Sequence, residues 1–395
     1  MSLAPLAWLV ALAGCGLAPL HRTAPGEAVH GPEVRYRFGE PQDEAGRWLL
    51  AEIPGARWDP GLLAAARELA AAASEPSARL VPDATLLAQA RAGFPGDARF
   101  SRLYTGGALP EALIAEARAV KGAAAGLDVA LASRRYGDGT VLWVLGAAPH
   151  WMEIDPIPRD LSLDDPLPLQ VGADDGASFE LFVAPPDGAV VTIHLGAGLT
   201  RYVDLFHVPG RYDLEVVDLG PDYARVVLTF SVFVEAPPPP MGRLPSGLEP
   251  QDPMAATAWL YRALNERRRG AGLAPVAPFP GFEPLAREHA AFMASSGVLG
   301  HTIPGLTDGV AARAWEQFHP RARHYEDLAA AFTAEEALDL AWGSPGHRRN
   351  LLCEDCTHAA IGVALEPTAG GPARLFVTWE LLAFPEGAPR ALDRH

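Results

Sequence analysis

Along the chain, the spacing of apolar and polar positions changes twice. Over residues 47–146, helical and strand periods alternate. Residues 48–53 read as a short strand. Asp59-Pro60 then caps and opens a helix with Leu62, Leu63, Ala66, Leu69 and Ala70 on one face. A second helix carries Leu86, Leu87 and Ala90, and a third runs from about residue 110 to residue 120. LDVALAS (127–133) and TVLWVLG (140–146) predict a hairpin turning at Tyr136-Gly137-Asp138-Gly139.

From residue 165 to 236 the period becomes two. ASFELFVA, AVVTIHLG, RYVDLFHV, RYDLEVVDL and ARVVLTFSVFVE are separated by PPDG, GAG, PG and GPD, the pattern of a small antiparallel β-sandwich. His194 and His207 stand alone in these strands and read as structural. EAPPPPMGRLP (235–245) is a stiff linker and the clearest boundary in the chain. Helices then return. Asp252-Pro253 opens one that ends in Arg267-Arg268-Arg269-Gly270, cations and glycine where a helix C-terminus favours them. Another starts near Pro284, with Leu285, His289, Phe292 and Met293 on one face, so His289 reads as a hydrogen-bonded core residue. Thr333 and Glu336 form a capping box before Leu338 and Trp342. AAIGVALE (359–366) and RLFVTWELL (374–382) predict a closing hairpin.

Charge and cysteine placement narrow the function. A formal net charge of −16 and a pI near 5.2 exclude a nucleic-acid binder, which needs a basic face. Residues 1–15, MSLAPLAWLVALAGC, are an apolar run too short to span a bilayer. Its end, Leu12-Ala13-Gly14-Cys15, resembles a bacterial lipobox, in which the cysteine is lipidated and begins the mature protein; an ordinary secretory signal is the alternative, since no Lys or Arg precedes the run. Gly16 follows the cysteine in place of the acidic residue linked to inner-membrane retention, so an outer-membrane anchor is expected, with the lipid bilayer as partner through the acyl group. Cys353 and Cys356, in LLCEDCTH, suit a disulfide in an oxidising compartment; two thiolates with His358 or His347 would make a zinc site instead.

The expected plan is an α/β multidomain chain. It comprises a signal peptide at 1–15, a tether at 16–40, an α+β domain at 41–150, a β-sandwich at 160–236, a Pro-rich linker at 237–250 and an α/β domain at 251–386.

In that last domain LNERRRGAGLAPV (264–276), LAREHAAFMASSGVLGHT (285–302), YEDLA (325–329), EEALDLAWGSPGHRRNLL (335–352), IGVAL (361–365) and TWELLAF (378–384) occur in one order. Their order and spacing resemble the CAP superfamily of cysteine-rich secretory proteins, antigen 5 and pathogenesis-related proteins, in its short bacterial branch. The resemblance implies an α/β/α sandwich with a His/Glu cleft formed by His301, Glu326 and His347, and with Arg348 beside it. The glutamate that longer members carry after the helix tryptophan is absent, since Gly343-Ser344-Pro345 follows Trp342. Where a glutamine often stands in the last strand this chain has Leu381, with Glu380 one place earlier. LDVALASRRYGDGTVLWVLGA (127–147) echoes IGVALEPTAGGPARLFVTWELLA (361–383), so the 41–150 domain is expected to be a degenerate CAP-like copy without an SPGH segment.

Ser344 as N-cap and Pro345 at the first helical position place His347 at N3, where the helix dipole disfavours a second proton on its ring. A neutral imidazole can bind a metal or accept a hydrogen bond, and the structural alternative has His347 bonded to Glu326. Arg348 and Arg349 are placed to hold an anion or to pair with carboxylates. Two functions remain. One is an envelope-anchored module binding a small molecule, glycan or protein in the cleft. The other is a metal-assisted hydrolase of envelope polymers, with a divalent ion such as zinc on His301, Glu326 and His347. The absence of GxSxG and HExxH weighs against the second.

Overall fold

A computed structural model of the protein describes residues 22–23, 39–106, 111–121, 124, 126–151, 160–171, 178–186, 189–195, 198–202, 205–219, 224–246, 252–301, 323–366 and 373–384. Cys15 and the rest of the expected signal peptide lie outside these residues.

The C-terminal unit is built on a four-stranded sheet ordered β13-β15-β16-β14, where β13 is Ala277–Pro278, β14 Arg323–Ala331, β15 His358–Leu365 and β16 Leu375–Ala383. β13 runs parallel to β15, and the other pairs are antiparallel. Side chains alternate across a strand. The side of the sheet holding Ile361, Val377, Trp379 and Leu381 packs under helices α5 (Pro253–Gly270), α7 (Ala334–Gly343) and α8 (Pro345–Leu351). The opposite side, with Ala360, Phe376 and Leu382, packs under α6 (Glu283–Ser296). β16 is therefore buried along its whole length, as a strand covered on both faces must be. Gly362 permits the closeness of α6, because a Cβ there would lie 2.1 Å from the Ala286 carbonyl oxygen.

Local signals set most of the helix ends. Asp252 accepts from the Ala255 N–H at 3.0 Å, and Thr333 accepts from that of Glu336 at 3.1 Å. Arg268 does more than sit at a helix C-terminus. It continues the Ala256, Leu260, Leu264 stripe of α5 and is fully buried, whereas Arg267 is half-buried and Arg269 exposed. Its guanidinium donates to the carbonyls of Ala274, Leu351, Cys353 and Cys356 at 3.0, 2.7, 3.1 and 3.4 Å. A buried cation needs such partners, and here they tie α5 to the loop after α8.

The N-terminal unit repeats the plan. Its sheet is ordered β2-β4-β5-β3, from Ala56–Trp58, Gly126–Arg135, Val141–His150 and Arg99–Thr105. β2 is parallel to β4, and the other pairs are antiparallel. α1 (Glu44–Glu52) and α4 (Ala112–Lys121) cover one face, while α2 (Pro60–Ala72) and α3 (Pro82–Ala92) cover the other. Among the described residues one helix, α4, stands between β3 and β4 where the C-terminal unit has both α7 and α8, so none of them forms a counterpart to the SPGH segment. Residues 48–53, expected as a strand, fall in and just after α1, which Asp43 caps by accepting from the Gly46 N–H at 2.7 Å.

Between them lies a β-sandwich. A five-stranded sheet ordered β6-β12-β11-β8-β9 (Asp160–Leu161, Ala224–Val234, Gly210–Leu219, Phe179–Ala184, Val191–Leu195) shares its core with a three-stranded sheet, β1-β10-β7 (Arg22–Thr23, Gly198–Tyr202, Leu167–Val171). The sandwich is not wholly antiparallel, since β6 pairs parallel with β12. Arg22–Thr23, inside the expected tether, pairs with β10. The proline linker is likewise fastened. Leu244 is buried against α2 and α3, and Arg243 Nε donates to Ser74 Oγ at 2.7 Å.

Candidate functional site

The antiparallel register of β14 and β16 sets Glu326 directly opposite Glu380. Both therefore point to the α6 side, where His289 occupies the buried stripe of α6 with Ala286, Ala290 and Met293. His289 is fully buried; its Nε2 lies 2.9 Å from the Gly300 carbonyl oxygen and its Nδ1 3.1 Å from Glu326 Oε2. A carbonyl only accepts, so Nε2 carries the proton. The second oxygen of Glu326, Oε1, lies 2.6 Å from Nδ1 of His301, whose side chain is 59% exposed. Glu380 is fully buried, with Oε2 2.5 Å from His324 Nε2 and Oε1 without a partner among the described residues.

Electrostatics separates the two carboxyls. Burial would raise Glu326, but hydrogen bonds with His289 and His301 outweigh it and hold the group down at about 2. Glu380 goes the other way: burial first, then the charge on Glu326, push it well above the usual carboxylate range. One acid is ionised and the other neutral, the usual outcome when two carboxyls share a site. Burial of His289 opposes its protonation, but the Glu326 hydrogen bond and charge prevail, and its pKa is raised. His324 is lowered by burial.

His347 approaches from α8. Ser344 caps that helix, its Oγ accepting from the His347 N–H at 3.4 Å. The ring's pKa falls to about 4, through burial first and then the positive charge of His301. A low pKa was expected from the helix dipole; burial is the larger cause. His347 thus faces the His301 side of the site, yet the oxygens of Glu326 bond to His289 and His301 instead, so the His347–Glu326 bond of the structural alternative is not formed. His301 and Glu326 meet directly.

Arg348, expected beside the cleft, turns elsewhere. Its guanidinium donates to the Trp342 carbonyl at 2.6 Å and to Asp213 of the sandwich at 3.4 Å. It also lines a charged cavity of about 320 Å³ between the three units, with Asp83, Arg211, Asp213, Arg267 and Asp339. Arg349 reaches Thr192 Oγ1 at 3.3 Å and stacks over Phe182. Asn350 donates to Asp327 at 2.8 Å, and burial pushes that carboxyl well up. Cys353 and Cys356 form a disulfide with Cα atoms 5.5 Å apart, so their sulfurs are not thiolate ligands for zinc.

Two members of this site escape the sequence reading. Glu380 stood one place from the position under consideration, and strand alternation would have put it on the Glu326 side had the register been known. His289 was read as a core histidine, and its partner turns out to be Glu326.

Residues 261–379 match the family model for the cysteine-rich secretory protein family, CAP. The C-terminal domain of this chain is thus a CAP domain, and His289, His301, Glu326 and His347 all fall inside the matched span, with Glu380 one residue beyond it. No curated protein matches the chain. Among solved structures, an outer surface protein from Borrelia burgdorferi is 20% identical, with a TM-score of 0.28 over 34% of this chain and 98% of its own. An extracellular protein containing a SCP domain from Bacillus anthracis is 18% identical, with a TM-score of 0.29 over 57% of this chain and 68% of its own. A cysteine-rich secretory protein from Staphylococcus aureus is 15% identical, with a TM-score of 0.28 over 51% of this chain and 66% of its own.

The start of α8 is also clasped from outside its domain. Glu215 of β11 accepts from Ser344 Oγ at 2.7 Å and from the Gly346 N–H at 3.2 Å. A side chain at 346 would collide, its Cβ falling 2.6 Å from Glu215 Oε1. Burial raises Glu215 to about 7, against the lowering effect of these two hydrogen bonds, and Asp97 adds to the rise. The folded pKa exceeds the unfolded one, so the docked state binds the proton more tightly. This contribution is fully present below about pH 4.5 and is lost as pH rises through about 7, amounting to about 3 kcal/mol. Hydrogen exchange of the α8 amides, corrected for intrinsic rates, should therefore quicken from about pH 5 to about pH 8. Glu215→Gln should flatten that slope; an unchanged slope in the variant would rule out Glu215 as its source.

Proposed function

We propose that this is an extracytoplasmic protein of the bacterial envelope, held to the membrane through Cys15, whose CAP domain binds a ligand or partner at the His301–Glu326 cleft without cleaving it. The state of Glu326 carries this reading. A general base works best with a pKa near the operating pH, and Glu326 sits at about 2. His347, at about 4, is similarly far from that range. No serine, threonine or cysteine among the described residues is hydrogen-bonded to the imidazole ring of His289, His301 or His347 as an activated nucleophile would be. The cleft offers instead an exposed imidazole locked to an ionised carboxylate, a pair suited to orient polar groups of a small molecule, a glycan or a peptide.

Purified cell-wall sacculi and denatured casein are the probes for hydrolysis. The wild-type chain should release no more soluble fragments from either than Glu326→Gln does. Fragment release by wild type that disappears in Glu326→Gln would establish the metal-assisted hydrolase in its place.

The anchor rests on the LAGC run behind a short apolar stretch. Among the described residues no helix is long and apolar enough to cross a membrane. Wild-type protein should fractionate with membranes, and Cys15→Ser should leave them. A variant that still fractionates with membranes would exclude the acyl anchor, and a soluble wild type would exclude membrane attachment altogether.

A further inference from the structure

Two groups of metal-binding side chains occur among the described residues. In one, Cys353 and Cys356 are bonded to each other and are spent. The other is His289, Glu326 and Glu380, each with a ligand atom within 4.8 Å of the rest. Nothing in the family resemblance joins these three. The set it implies, His301, Glu326 and His347, shares only Glu326 with them.

The buried trio gathers three potential ligand groups in one place. Strand register holds two carboxyls directly opposite each other, where like charges repel. With its Nε2 proton given to the Gly300 carbonyl, His289 faces Glu326 Oε2 through Nδ1, 3.1 Å away. That nitrogen either carries a second proton, which Oε2 accepts, or offers its lone pair to a cation in the proton's place. Glu380 Oε1, wholly buried, has no hydrogen-bond partner among the described residues. Three separate elements, α6, β14 and β16, thus bring potential ligand atoms to one point.

The geometry points to a divalent-cation site in which His289 Nδ1, Glu326 and Glu380 are the protein ligands. One imidazole and two carboxylates suit zinc, leaving a fourth position for water. The surroundings are those that ligands require. His289 donates its other N–H to a backbone carbonyl, which fixes ring and tautomer, and His324 holds Glu380 Oε2 at 2.5 Å. His301, exposed and bonded to the outer oxygen of Glu326, marks the way in from solvent. A proton shared by the carboxyls is the competitor that an ion must displace.

The test titrates the full chain, stripped by chelator, with zinc alone near neutral pH, following heat and thermal midpoint. Wild type should bind one ion and gain thermal stability. Glu380→Gln and His289→Gln should each lose at least about tenfold in affinity, while His347→Ala should take up zinc like wild type. No uptake by wild type overturns the proposal, as does loss in His347→Ala with retention in Glu380→Gln, which would move the ion to the outer cleft. Should either ligand variant fail to fold by circular dichroism, X-ray absorption of the zinc-loaded wild type decides. One imidazole in the zinc shell supports the site; two overturn it. This site shares Glu326 with the cleft of the proposed function; zinc uptake tests the site, and fragment release measured with and without the ion tests cleavage, so the two can fail separately.

Discussion

The pairing of β14 with β16 is the constraint on which the site depends. It forces Glu326 and Glu380 to face each other inside a sheet covered by helices on both sides. Charges so placed are costly unless paired. The chain meets this by dividing the two groups: Glu326 stays ionised between His289 and His301, and Glu380 is neutral against His324. Tight seating of α6 on Gly362 lets His289 reach the pair. The cleft therefore follows from sheet register and helix seating, with loop residues such as His301 added at its mouth.

The same topology built twice shows what the chemistry requires beyond topology. On the α2 side of the N-terminal sheet, two of the pairs between β3 and β5 are Phe100 with Gly146 and Arg102 with Val144. Among the described residues no carboxyl pair forms there, and no helix corresponds to α8. The scaffold persists as packing while the acid pair belongs to the C-terminal domain alone. Around α8 the three units converge: Glu215 and Asp213 come from the sandwich, and Arg79 of the N-terminal unit pairs with Glu336 at the start of α7. The side of SPGHRRN opposite His347 is thus an interdomain contact.

Short-range features were legible in the sequence. The caps at Asp59, Asp252, Thr333 and Ser344, both closing hairpins and the proline linker rest on neighbours within a few residues. Misreadings came where local pattern is ambiguous or irrelevant. The apolar run at 48–53 suits helix or strand equally, and only the cap at Asp43 favours the helix that forms. Arg268 was read from its helix-end position, although its four-residue spacing from Leu264 already placed it on the buried stripe. Arg348 answers to Asp213 in another domain, and no sequence pattern carries that information. Glu380 became a site residue only through strand register, which a single sequence does not specify.

The claim at the centre of this account is that the buried carboxyl pair and His289 Nδ1 together form a cation site, in which a metal ion takes the place of the protons they otherwise hold. Anomalous diffraction at the zinc edge, from crystals of the full chain grown at neutral pH and soaked in zinc, locates that species directly. The account predicts a peak within coordination distance of His289 Nδ1, Glu326 and Glu380. A peak between His301 and His347 instead, or none at all with zinc present in the crystal, would contradict it.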